Sequence, residues 1–231
     1  MLSVGSVSAE MRNILESRAR EKRIFRRALL KVYFRYMYYL VPLGNPGEKY
    51  ETTRHNVGWL ALDYCRNTWR LPELIESRSD SGRVTQGVID DTEVKVLYPD
   101  TFMNNSGSAV VKFVPHSEIN QLIVVHDDID LPFGEIKLVQ GRGGGGNNGV
   151  TSIIQKLGSK DFIRVRVGIA PKSFWTGKTK RPAGGGPLER FVLKPFGKAE
   201  SKELDFVYEK VKTAIEIIMS DGLEAAKNQC H

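Results

Sequence analysis

Residues 121–149 read QLIVVHDDIDLPFGEIKLVQGRGGGGNNG, and the fold depends on how this stretch divides. Leu122, Ile123, Val124 and Val125 form an apolar, largely β-branched run, the mark of a strand buried on both faces. The run gives way to His126, Asp127, Asp128 and Asp130, so the strand is expected to stop there and to present chemistry at its end. Residues 135–140 read as a second short strand. It feeds a loop with six glycines in the nine residues 141–149, followed by the helix-like SIIQKL at 152–157. Glycine at that density lets backbone come close to something bulky.

The flanking sequence repeats the theme. Residues 38–43 read as a strand stopped by the turn Gly44-Asn45-Pro46-Gly47, and 48–56 cross a loop into a helix over Val57–Thr68 with Val57, Leu60, Ala61 and Tyr64 at helical spacing. Residues 84–89 and 93–98 flank Asp90-Asp91-Thr92 as a hairpin, 106–114 read as a helix, and 162–169 alternate as a half-buried strand. Residues 170–190 are rich in Gly, Pro and Lys without periodicity and are expected to form a mobile basic loop. From 199 to 219, Leu204, Val207, Tyr208, Val211, Ala214, Ile215, Ile218 and Met219 mark one helix face, and a short last helix follows Asp221-Gly222. Strands alternating with helices predict one α/β domain over residues 37–231, a twisted mixed β-sheet flanked by helices.

The chain has 231 residues, 41% hydrophobic and 26% charged, enough for one sizeable core. Two cysteines, Cys65 and Cys230, make no disulfide framework and no metal-ligand spacing, which fits a reducing compartment. No apolar run approaches the roughly 18 residues that span a bilayer, so no membrane insertion is expected. The net charge is +7, and most of it sits in residues 1–36, where nine basic residues face Glu10, Glu16 and Glu21. That extension resembles a mitochondrial presequence, although its three glutamates are unusual for one. A solvated basic tail and an unused upstream start before Met37 are the alternatives, so the expected location is mitochondrial or cytoplasmic. Residues 172–202 carry eight basic residues against Glu189 and Glu200, which fits a localised anion site rather than a uniformly basic surface.

Polar clusters fall at or just after the predicted strand ends: Asn45, His55, Asn104 with Asn105, His126-Asp127-Asp128, and Asn147-Asn148. In open α/β sheets ligands bind beyond the carboxyl ends of strands, so these clusters are candidates to converge. Amides, one histidine and one aspartate suit hydrolysis by activated water, with a neutral histidine as base and an aspartate fixing its tautomer. The residues alone do not choose between His55 and His126. Each piece also has a plainer reading as a surface histidine, capping acid or turn asparagine. Gly141, Gly143 and Gly146 spell G-x-G-x-x-G, but Asp161 precedes its strand where a ribose-binding acid should end it. No G-x-S-x-G occurs, and consecutive acids on a strand point to opposite faces, which disfavours a metal at HDDID.

Taken together, GNPGEKYETTRHNVG (44–58), FMNNSG (102–107), HDDIDLPFG (126–134) and GGNNG (145–149), in that order, resemble the bacterial-type peptidyl-tRNA hydrolase family. The resemblance covers about residue 38 to the last helix. It implies a monomer that cleaves the ester between peptide and tRNA, recycling tRNA from aborted translation, with peptidyl-tRNA as partner and no cofactor or metal. By motif position it implies His55 as base and Asp127 as its partner. Asn45, Asn104 and Asn148 match the asparagines that hold peptide and water, and Tyr50, Phe102 and Met103 match substrate contacts. Three positions depart from the family pattern. Pro42 stands where glycine is common, which marks an edge or distorted strand. Asn147 replaces a common histidine. Val139 replaces one of two phosphate-gripping lysines, leaving Lys137, with Arg142 or Arg166 to compensate and the basic segment 172–190 as a further source of phosphate contacts. A non-catalytic RNA-binding relative of the same fold, similar to a splicing factor, is the alternative.

Overall fold

The structure, a computed structural model, describes residues 37–171, 182 and 184–230. The basic extension 1–36 and most of the expected loop at 172–183 lie outside the described residues. Seven strands form one sheet in the order β2-β3-β4-β1-β5-β7-β6. They are β1 (Met37–Pro42), β2 (Ile75–Ser77), β3 (Gly82–Ile89), β4 (Thr92–Pro99), β5 (Leu122–Pro132), β6 (Ile136–Val139) and β7 (Ile163–Ala170). β4, β1, β5 and β7 run parallel through the centre, while β2, β3 and β6 pair antiparallel towards the edges. The mixed α/β sheet expected from the sequence is therefore present.

Helices cover both faces, because the central strands are apolar on both. Tyr39, Val41, Leu122 and Val124 pack with α2 (Ser106–Phe113) and α3 (Asn148–Leu157). Leu40, Val96, Ile123, Val125 and Val165 face the other way, towards α1 (Val57–Thr68), α6 (Leu204–Asp221) and α7 (Leu223–Gln229). α2 lies so close to α3 that a Cβ on Gly107 would stand 2.2 Å from the Ser152 carbonyl oxygen. The Gly107 N–H instead donates to Ser152 Oγ at 3.0 Å.

Four expectations change. β5 does not stop at Val125: His126, Asp127 and Asp128 remain in register with Arg166, Val167 and Gly168, because β7 continues beside it. β1 ends earlier, at the Pro42–Val125 pair, so Asp127 overhangs its neighbour and faces open space. Pro42 marks no edge strand, since β1 is central; its pairing with β4 ends at Leu40–Val96, and the Leu43 N–H resumes bonding to Val125. The segment expected to be loop through residue 190 contains α4 (Gly186–Val192), with Pro187 in its first turn and Leu188, Phe191 and Val192 packed on the core. The helix expected over 199–219 is divided into α5 (Lys198–Ser201) and α6, and the edge strand β2 was not foreseen.

Candidate active site

The chain leaves β1 through α1 on one face of the sheet, towards β2, and leaves β4 through α2 on the other face, across β1 to β5, which opens a crevice at the carboxyl ends of β1 and β4. A cavity of about 640 Å³ occupies that position. The turn after β1 supplies Asn45, Tyr50 and His55, and the turn after β4 supplies Phe102, Met103 and Asn104. Asp127 comes from the overhang of β5 and Asn148 from the start of α3, so every residue expected in the catalytic and substrate-binding set lines one cavity.

His55 sits on a 3-10 turn, Arg54–Asn56, that runs directly into α1. Its Nδ1 lies 2.9 Å from Oδ2 of Asp127, with both side chains largely buried. The contact becomes an ion pair when the ring is protonated. Burial works against the imidazolium, but the Asp127 carboxylate outweighs it, and the His55 pKa rises above the ordinary 6.5. His126 behaves oppositely: its ring is buried and absent from the cavity wall, and burial pushes its pKa down to about 4. Its Nδ1 donates to the Asp127 carbonyl at 2.8 Å. Of the two histidines, only His55 shares a cavity with the Asp127 carboxylate.

Asn45 is set by a residue the sequence reading passed over. The amide of Asn56, fully buried, accepts from the Asn45 N–H at 2.8 Å and donates to the Asn45 carbonyl at 2.9 Å, copying a strand pair. Asn45 Oδ1 then accepts from the Met103 N–H at 2.8 Å. With its oxygen committed, Asn45 turns its NH₂ end towards the cavity as a donor. Tyr50 and Phe102 meet edge to face, ring centres 6.5 Å apart, and form an aromatic rim.

The opposite wall is α4, through Leu188 and Val192. Arg54 fastens it: the guanidinium donates to the carbonyls of Lys194 and Pro195 and to Glu200, and lies over the rings of Phe191 and Phe196. The RHN triplet gave no signal for either Arg54 or Asn56, since both act on residues distant in sequence.

Lys137, Arg142 and Arg166 do not line the cavity. Lys137 stands opposite Arg166 in the β6–β7 ladder, Arg142 is exposed on the glycine loop, and Arg166 is paired with Asp128. Among the described residues no three His, Cys, Asp or Glu side chains gather closely enough to hold a metal ion, and no helix is long and apolar enough to cross a membrane.

Fold and site together define an α/β protein with a histidine–carboxylate pair and convergent amides at the switch point of a mixed sheet. The chain belongs to the peptidyl-tRNA hydrolase family, whose model matches residues 39–231. It is 41% identical over 195 residues to a peptidyl-tRNA hydrolase of Rhodococcus opacus, covering 83% of this chain and 96% of that protein. It is likewise 41% identical over 198 residues to that of Nocardia farcinica, covering 83% and 95%. The crystal structure of peptidyl-tRNA hydrolase from Acinetobacter baumannii superposes with a TM-score of 0.74 at 28% identity, over 84% of this chain and 94% of that one.

Proposed function

We propose that this protein hydrolyses the ester joining a peptide to the terminal ribose of tRNA, and so recycles tRNA from aborted translation. The observation that carries the reading is the placement of His55 against Asp127 in a cavity shared with Asn45, Asn104 and Asn148. Neutral His55 takes a proton through Nε2 from a water that attacks the ester carbonyl. Asp127 holds the ring and stabilises the imidazolium that forms. The carbonyl oxygen becomes an oxyanion, for which the NH₂ of Asn45 is a donor, with Asn104 and Asn148 lining the same cavity. Collapse breaks the bond to the ribose oxygen, and His55 returns the proton to that oxygen, releasing tRNA and a free peptide carboxylate.

Lys137, Arg142 and Arg166 are proposed to grip tRNA phosphates: Arg142 is exposed on the glycine loop, Lys137 is exposed on the strand that enters it, and Arg166 stands opposite Lys137 and pairs with Asp128 of the cavity wall. The protein acts as a monomer in this reading. Residues 1–36 are proposed as a mitochondrial leader on their basic composition, and a fluorescent fusion of those residues that stays cytosolic removes that part. The main test compares peptide release from peptidyl-tRNA with release from a free peptidyl ester. The wild type should turn over the tRNA substrate far faster, and His55→Ala should abolish the difference. Near wild-type turnover by His55→Ala overturns the assignment.

A further inference from the structure

The two carboxylate oxygens of Asp127 are divided between two partners. Oδ2 faces Nδ1 of His55, and Oδ1 accepts from Nδ2 of Asn147 at 2.9 Å. The same Asn147 side chain uses its Oδ1 to accept the Val150 N–H at 3.1 Å, capping the N-terminus of α3. An amide has one donor end and one acceptor end. The helix N–H claims the acceptor, so the donor end is the one presented to the carboxylate. Asn147 is 9% exposed and Asp127 5% exposed, so water competes poorly for either bond.

We infer that Asn147 is a positioning residue for the hydrolysis proposed above: it turns the Asp127 carboxylate so that Oδ2 meets His55, and the cap of α3 fixes which way its own amide points. The inference rests on His55 being the base. Rotating the carboxylate about Cβ–Cγ breaks a charge-assisted hydrogen bond, so the His55 contact is held before substrate arrives. The clamp is neutral and does not titrate, and it holds Asp127 wherever the carboxylate is ionised. It also ties the start of α3, where Asn148 enters the cavity, to the strand that carries Asp127.

Asn147→Ser tests this, because serine keeps a capping oxygen for Val150 but is too short to reach Asp127 as well. Asn147→Thr repeats the test with a second capping side chain. Three quantities are read on the full chain: Tm, kcat and KM on peptidyl-tRNA, and the pH titration of the His55 ring followed by NMR. Little change in Tm and KM is expected, with kcat lowered about 10- to 100-fold, the kinetic equivalent of losing one hydrogen bond to a charged group. The His55 titration should move to lower pH, since burial then acts on a ring whose carboxylate is no longer held. A His55 titration that stays in place or moves up overturns the inference, as does a fall in kcat that only follows a fall in Tm. The titration needs no turnover. A wild type that fails on peptidyl-tRNA would therefore overturn the proposed function, while the shift still decides the clamp.

Discussion

Arg54 and Glu200 meet at 2.6 Å, joining the turn that carries His55 to the segment behind the far wall of the cavity. Both side chains are largely buried, Arg54 with 10% and Glu200 with 21% of its side-chain surface exposed. Arg54 Nη1 also donates to the carbonyls of Lys194 and Pro195 at 3.2 and 2.6 Å. Replacing Arg54 by alanine removes the charge that faces Glu200 and the donor to the Pro195 carbonyl, while the Lys194 carbonyl keeps the backbone N–H of residue 54 and Glu200 keeps the Gly197 N–H. The expected cost is about 3 kcal/mol of stability, seen as a lower urea midpoint. Because α4 loosens with it, KM should rise more than kcat falls. An unchanged KM means that α4 is held by its core packing alone.

Activity should follow the ionisation of His55. Its pKa is raised, by Asp127 acting against burial, so the acidic limb of kcat/KM is expected above pH 6.5. Asp127→Asn removes the cause of the rise. The limb should then shift to lower pH while kcat falls by about four orders of magnitude, the scale seen when a histidine base loses its orienting carboxylate. The stability linkage has the opposite sense. Protonated His55 contributes stability that is fully present below the unfolded pKa of 6.5 and lost as pH rises through the folded value, so the form with the better ion pair is the catalytically inactive one.

His126 titrates with the other sign. Its folded pKa is lowered to about 4, so neutral burial contributes stability above 6.5 that is lost as pH falls towards 4. His126→Asn keeps a donor for the Asp127 carbonyl without a titrating ring. Urea unfolding at pH 7.5, 5.5 and 4.5 should show a shallower loss of stability in the variant than in the wild type. Equal slopes would remove His126 as a source of acid sensitivity.

Asn56→Ala should disturb both the fold and the chemistry. It leaves the Asn45 N–H and carbonyl without their buried partner, at a cost of about 2–4 kcal/mol. It also frees Asn45 to turn its amide away from the cavity, lowering kcat/KM by at least about tenfold if Asn45 donates to the oxyanion. A variant that loses stability but retains kcat/KM in its folded fraction would show that Asn45 needs no such support.

Gly107→Ala probes the packing behind the site. The new Cβ would meet backbone of α3 rather than a movable side-chain tip, so a loss of about 3 kcal/mol or more is expected. Since α3 begins with Asn148, the displacement should also reach the cavity. Thermal melting and KM measured together show whether the two effects travel together.

The sequence by itself determined the central strands, the helices that begin at Val57 and Ser106, and the polar residues Asn45, His55, Asn104, Asp127 and Asn148 as candidates to share one site, because each depends on local chemistry. Apolar periodicity marks β1, β5 and β7, turn residues mark where the chain leaves the sheet, and the four motifs carry Asn45, His55, Asn104, Asp127 and Asn148 in order. It did not show α4, whose three apolar contacts follow a Gly-Pro run that reads as loop, nor the continuation of β5 through Asp127, which depends on β7 lying alongside. Tertiary structure alone decided which histidine meets the aspartate, which end of Asn45 faces the cavity, and what Asn147, Asn56 and Arg54 hold. Those outcomes depend on distance and on the direction of donors and acceptors between segments remote in the chain. Only the folded sheet, in which β5 carries Asp127 two residues past its last pair with β1, sets these segments side by side.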